Sequence, residues 1–122
     1  MEAVTRSKDA VGGYGERVAA RLLDDAGFVL LDRNWRCSRG EIDLVARDGA
    51  TIVFCEVKTR RSDAFGSPVE AITAAKVRRL RALAALWLAD HPRVHGPVRF
   101  DVVSVRPQRS GAAQVEHLRG AF

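Results

Sequence analysis

The sequence predicts an α/β protein in three layers, with a central mixed sheet between helices and elements in the order α-β-β-β-α-β-(β). Three observations carry that prediction. Asp48-Gly49 lies between two β-rich runs, a strong signal for a two-residue hairpin. A helical stretch then separates the hairpin from a further strand, VRFDVVSV, which calls for a right-handed crossover and a parallel pairing. The hairpin also carries apolar residues (Ile42, Leu44, Ala46, Val53, Cys55, Val57) on the face opposite its acidic one, so both faces need cover.

Composition sets the bounds. A chain of 122 residues can build one domain with a real core and is too short for two. We expect residues 1–11 to be a loose segment, 12–118 the domain and 119–122 a tail. The net charge of +5 and pI near 10.0 suit a polyanionic partner. Most of the excess falls in residues 62–122, where nine Lys/Arg stand against five Asp/Glu. Cys37 and Cys55 have no paired spacing and read as free thiols of a reducing cytosol, with a disulfide the weaker alternative. No apolar run is long enough to span a membrane and no signal-peptide core is present, so the expected location is cytoplasmic, away from membranes.

Gly12–Ala26 reads as a helix closed by Gly27, with Val18, Ala19, Leu22 and Ala26 as its apolar stripe. Glu16 lies at the border of that stripe. An acid in a first turn interacts favourably with the helix dipole, but this position also lets it face the sheet. Phe28–Cys37 is the first strand, interrupted by a bulge or bend at Asp32, Arg33 and Asn34, with Trp35 a packing residue.

The hairpin follows as Glu41–Arg47 and Ala50–Arg60. With Asp48-Gly49 as the central pair, Arg47 faces Ala50, Val45 faces Ile52, Asp43 faces Phe54 and Glu41 faces Glu56. Alternation then puts Glu41, Asp43, Phe54, Glu56 and Lys58 on one face. Carboxylates so placed repel one another unless something neutralises them. Oxygen donors suit Mg²⁺ or Mn²⁺, and no Cys/His set favours zinc. The bland alternative is a solvent-facing strand pair in which Lys58 bridges Glu56.

Ser67-Pro68-Val69-Glu70 has capping-box form, so the second helix is expected from Pro68 to about Ala89, ahead of Pro92. Val69, Ile72, Leu80, Leu83, Ala84 and Trp87 make its buried stripe. Lys76 falls inside that stripe, and either snorkels to an edge or reaches the acidic cleft. Arg78, Arg79 and Arg81 lie off it, as a basic surface or an ordinary solvated face. Val98–Val105 is the fourth strand, Ala113–Leu118 a weak fifth, and His91, His95 and His117 read as ordinary loop or surface residues.

The order of helix acid, strand acid and acid-x-lysine resembles the PD-(D/E)XK nuclease superfamily, here Glu16, Asp43 and Glu56-Val57-Lys58. Archaeal-type Holliday junction resolvases are similar. A closer resemblance, spanning Gly12 to Val105, is to the YraN-like family of small endonuclease-like bacterial proteins, through GYGERVAARLL, NWRCSRGEIDLVARD, VFCEVKTR and KVRRL. Ile42 stands where the superfamily pattern has proline. The resemblance implies a restriction-endonuclease-like fold. It further implies one Mg²⁺ or Mn²⁺ held by Asp43, Glu56 and the backbone carbonyl of Val57, with Glu16 helping directly or through water. Glu16, Asp43, Glu56 and Lys58 would be the catalytic set, with Lys58 orienting or deprotonating the attacking water. Glu41 is a reserve ligand. Lys76, with Arg60, Arg61, Arg78, Arg79 and Arg81, would contact nucleic acid. Junction-cutting relatives act as dimers, which implies a homodimer by analogy.

Three functions follow from this reading: a metal-dependent nuclease acting on DNA, a nucleic-acid-binding protein of nuclease-like fold without turnover, and a module whose basic helix docks on another protein.

Overall fold

Thr51–Thr59 forms the middle strand of a five-stranded mixed sheet. The computed structural model describes residues 9–60 and 73–122. In chain order the elements are α1 (Asp9–Asp25), β1 (Val29–Cys37), β2 (Gly40–Asp48), β3 (Thr51–Thr59), α2 (Ala74–Asp90), β4 (Val98–Arg106) and β5 (Gln114–Leu118). The strands lie in sequence order, all antiparallel except β3 and β4, which are parallel across the α2 crossover. The predicted element order is therefore the observed one. No helix among the described residues is long and apolar enough to cross a membrane.

The two helices cover opposite faces. Ala19, Ala20 and Leu23 of α1 pack on Leu44, Ala46, Val53 and Cys55. Leu80, Leu83, Ala84 and Trp87 of α2 pack on Val45, Ile52, Phe54 and Phe100. Neighbouring residues of β3 thus enter different cores, as the two-residue period of a strand requires. Cys55 is buried on the α1 side, and Cys37 packs against the α2 core; both are free.

Helix α1 closes on Gly27 at φ +92°: Gly27 N–H donates to Asp24 O and Phe28 N–H to Leu23 O. That is a Schellman closure, and Phe28 and Leu23 share the core beneath it. The helix begins at Asp9, earlier than the expected Gly12. Its buried stripe is Gly15, Ala19, Ala20 and Leu23, while the expected stripe member Ala26 is exposed. Glu16 accordingly lies on the sheet-facing stripe itself, one turn before Ala19 and Ala20, where a border position was expected.

Helix α2 begins at Ala74, because Thr73 is extended (φ −92°, ψ 163°) and caps it by accepting from Lys76 N–H at 3.1 Å. The expected start at Pro68, its cap Ser67-Glu70 and the stripe residues Val69 and Ile72 lie at or within residues 61–72, outside the described residues. The helix stops at Asp90 before Pro92, as predicted.

The hairpin differs in register. Asp48 pairs with Thr51, Arg47 with Ile52 and Val45 with Phe54, so the central pair is Gly49-Ala50. Only glycine in that turn takes positive φ (+61° at Gly49). A turn centred on Asp48-Gly49 would have forced Asp48 there as well. The expected tail is anchored: Gly120 N–H donates to Asp101, Ala121 N–H to Phe100 O, and Phe122 stacks on Phe100.

Candidate functional site

Strands β2 and β3 part company beyond the pair Leu44–Cys55. Ile42 packs in the α2-side core and Leu44 in the α1-side core, although residues two apart on a regular strand share a face. The alternation therefore slips at Asp43. Its carboxylate turns toward β3 and accepts the Val57 N–H at 2.8 Å, a bond the backbone ladder no longer makes. The expected single acidic face is thereby divided. Phe54 is core, Glu41 and Asp43 gather with Glu16 of α1, and Glu56 and Lys58 continue the α2-side face, where Lys58 meets Lys76.

Carboxylate oxygens of Glu16, Glu41 and Asp43 lie within 4.8 Å of one another. Opposite ligands of one Mg²⁺ stand roughly 4.2 Å apart, so this trio fits a hard divalent cation with little adjustment. Glu41, a reserve ligand by sequence, is thus a full member of the group. Glu56 is held instead by Lys58, Nζ to Oε2 at 2.8 Å, with both side chains mostly covered (23% and 15% exposed). Val57 enters the site through its amide.

The electrostatics match this crowding. Burial raises the Asp43 carboxyl from an ordinary 3.8 to about 7; the Val57 amide opposes the rise, and Glu56, Glu16 and Glu41 add to it. Burial also raises Glu16, and the nearby Asn34 side chain opposes the rise. On the α2 side, Lys58 lowers the neighbouring Lys76. Asp43 is the hinge of the arrangement, with acids on the α1 side and a Glu56-Lys58-Lys76 group on the other.

The remaining basic residues are spread out. Arg78 and Arg79 are exposed on α2, and Arg81 lies 4.9 Å from the centre of the Phe100 ring. Arg60 follows β3 directly, and its N–H donates to Val105 O. Arg61 is outside the described residues.

Gly15 went unnoticed in the sequence, although a glycine in mid-helix costs about 1 kcal/mol and asks for a reason. The reason is Thr59: a Cβ at Gly15 would overlap its Oγ1 and come within 3.2 Å of its Cβ. The glycine lets α1 approach β3 closely enough to present Glu16. Gly15→Ala is expected to lose about 1–3 kcal/mol by overpacking despite its better helix propensity. Thr59→Ala in the same chain should recover most of it. Thermal melts of the three variants check this; a Gly15→Ala variant more stable than wild type would deny the close approach.

Asp101 went unnoticed in the sequence, where His117 reads as an ordinary loop or surface residue. Asp101 is fully buried, takes two bonds from Arg99 (2.9 and 3.0 Å), one from Gly120 N–H (2.9 Å), and lies 2.7 Å from His117 Nε2. The signal was present as Arg99-x-Asp101, two residues that share a strand face. This network fastens β5 and the C-terminus, so His117 is structural and not the surface residue expected. His91 likewise caps α2, its Nδ1 2.7 Å from Trp87 O and its ring stacked on Trp87.

The profile of the uncharacterised protein family UPF0102 matches residues 15–105. The chain belongs to the UPF0102 family. A UPF0102 protein of Beutenbergia cavernae is 62% identical over 115 residues, covering 94% of this chain and 98% of the relative. One from Frankia alni is 58% identical over 96% of this chain and 98% of its own. One from Acidothermus cellulolyticus is 45% identical over the full length of both. The UPF0102 match takes in Glu16, Asn34, Glu41, Asp43, Glu56, Lys58 and Asp101.

Proposed function

We propose that this protein is a divalent-cation-dependent hydrolase of nucleic-acid phosphodiester bonds, with DNA as its first candidate substrate. The observation that carries the reading is Asp43: a partly buried carboxylate pressed against Glu16, Glu41 and Glu56, beside a lysine pair. Such a concentration of like charge destabilises a fold unless a cation or a function compensates for it.

Asp43, Glu16 and Glu41 would hold Mg²⁺ or Mn²⁺, with Glu56 joining them when it releases Lys58. The bound ion would lower the pKa of a water and neutralise charge on the scissile phosphate. Released from Glu56, Lys58 Nζ orients the attacking water or meets the charge that develops on phosphate oxygens. Lys76 supplies a second cation beside it. The exposed Arg78 and Arg79 suit contacts to backbone phosphates farther along a strand. The resemblance to the PD-(D/E)XK superfamily supports the roles of Glu16, Asp43, Glu56 and Lys58, while it gives the Val57 carbonyl a place at the metal and Glu41 only a reserve one.

One observation favours a second reading. The 2.8 Å Lys58–Glu56 bridge closes the α2 half of the site, as a binding protein without turnover would keep it. Incubating purified protein with duplex, nicked, branched and single-stranded DNA and with RNA, in Mg²⁺, Mn²⁺ or EDTA, separates the two. Cleavage should require the cation and fall about 100-fold or more in Glu56→Ala and in Lys58→Ala. Salt-sensitive binding with no cleavage would establish the second reading, and cleavage surviving in Glu56→Ala would sink the assignment.

A further inference from the structure

We propose that the open part of the α2-side sheet face, across β4 and β5, carries one strand of nucleic acid by its phosphates as that strand leaves the cation site; the proposal rests on the nucleic-acid reading above. The α2-side core takes in Phe54 of β3 and Phe100 of β4. Farther along β4 that face turns polar. Val103 and Val105 are fully buried in the α1-side core, whereas Ser104 and Arg106, which alternate with them, are only half-buried. Such alternation marks a strand with one covered face and one open face. On β5 the same face continues with Gln114 and Glu116, both exposed.

The strand pairing joins this open face to the site. Lys58 lies beside Ser104, and Ser104 beside Glu116. Arg60 N–H donates to Val105 O, which carries the parallel pairing one residue farther. Arg60 therefore lies beside Arg106, whose other neighbour is Gln114. Two rows thus run outward from the Glu56–Lys58 bridge, one of Lys58, Ser104 and Glu116, the next of Arg60, Arg106 and Gln114. Arg109 is exposed in the following turn, where Gln108 Nε2 donates to Arg106 O at 3.1 Å.

The charges select the occupant. Lys58 holds Glu56, so the acid that opposes Arg60 and Arg106 within these rows is Glu116. A second copy of the chain would set cations against cations here. A polyanion meets them in series instead. Ser104 and Gln114 add neutral hydrogen-bond donors of the kind that phosphate oxygens accept. Neither row holds an aromatic side chain on which a base could stack. The contacts are therefore to the backbone and tolerant of sequence.

The test is fluorescence anisotropy with labelled single-stranded DNA in EDTA over a salt series. It compares wild type, the double variant Arg106→Ala with Arg109→Ala, Glu116→Lys and Arg21→Ala. Loss of two phosphate contacts should flatten the log–log salt slope by about 1.4 and weaken binding about tenfold. Glu116→Lys should bind severalfold more tightly with a steeper slope, a gain that a poorly folded variant does not produce. Arg21 is exposed on α1, 3.6 Å from Asp25, and its replacement should change neither. A wild-type slope in the double variant, or no gain in Glu116→Lys, would overturn the track and leave the cation site standing. A wild-type dimer that Glu116→Lys dissociates, seen by sedimentation velocity, would overturn it in favour of a second copy. A wild type that binds no nucleic acid in EDTA or Mn²⁺ would overturn the nucleic-acid reading, and the track with it.

Discussion

Without divalent cations, Asp43→Asn is expected to be more stable than wild type at pH 8, by on the order of 3 kcal/mol. The Asp43 carboxyl rises from 3.8 to about 7 on folding, mainly through burial. Below pH 3.8 it is protonated in folded and unfolded chains alike and costs nothing. Between there and about 7 the unfolded chain releases the proton and the folded chain keeps it, so stability falls as pH rises. Above about 7 the whole cost is present. Asparagine keeps an acceptor for Val57 N–H and never ionises. Denaturant melts in EDTA should therefore show a gap that opens from near zero at pH 4 to its full size at pH 8. Glu16, also raised by burial, interacts with Asp43, so the difference between the two proteins reports this coupled pair. Millimolar Mn²⁺ should stabilise wild type alone, by about 2.7 kcal/mol at one hundred times its dissociation constant. Parallel pH profiles, or an equal response to Mn²⁺, would remove the charge burden on which the cation site rests.

Asp101→Ala is expected to cost about 3–5 kcal/mol, because it takes the buried carboxylate from Arg99, His117 and the Gly120 N–H, leaving Arg99 only its bond to Asp48. In a chain of this size the melting temperature should drop by about 10–20 °C. The exposed Glu116 on β5 is a fitting control, with Glu116→Ala within about 0.5 kcal/mol of wild type. The Asp101 carboxyl opposes Asp43 in its pH dependence. Burial works to raise it, but Arg99, Gly120 N–H and His117 together hold it below its ordinary value. Its stabilisation is present above the unfolded value and lost as pH falls through the folded one. The gap between wild type and Asp101→Ala should thus shrink toward acid, while the gap opened by Asp43→Asn grows toward alkali. A loss under about 1 kcal/mol would mean that β5 is held by something other than this carboxylate.

Much of this architecture was legible because its signals are local. Gly27 stops α1, Pro92 lies just past the end of α2, and the buried stripe Leu80, Leu83, Ala84 and Trp87 repeats at helical spacing. A helix between β3 and VRFDVVSV forces a parallel pairing, since no short link can make one. The residue types of the site were equally readable, because carboxylates and a lysine in alternation on a hairpin have no place in an apolar core.

The placement of those residues was decided elsewhere. Moving the turn from Asp48-Gly49 to Gly49-Ala50 lets glycine alone carry the positive φ, and neither strand's composition reveals that choice. The slip in alternation at Asp43 arises where the β2–β3 ladder ends, and it gathers Glu41 and Asp43 with Glu16 while the neighbouring Glu56 pairs with Lys58. Glu16 joins the acids because Gly15 brings α1 against Thr59. By itself the sequence determined which elements form and which chemistry they carry, since turn, cap and periodicity signals act over a few residues. Only the tertiary structure decided which acids meet, because that depends on contacts between residues distant in the chain, and a shift of one residue in a strand turns a side chain to the other face.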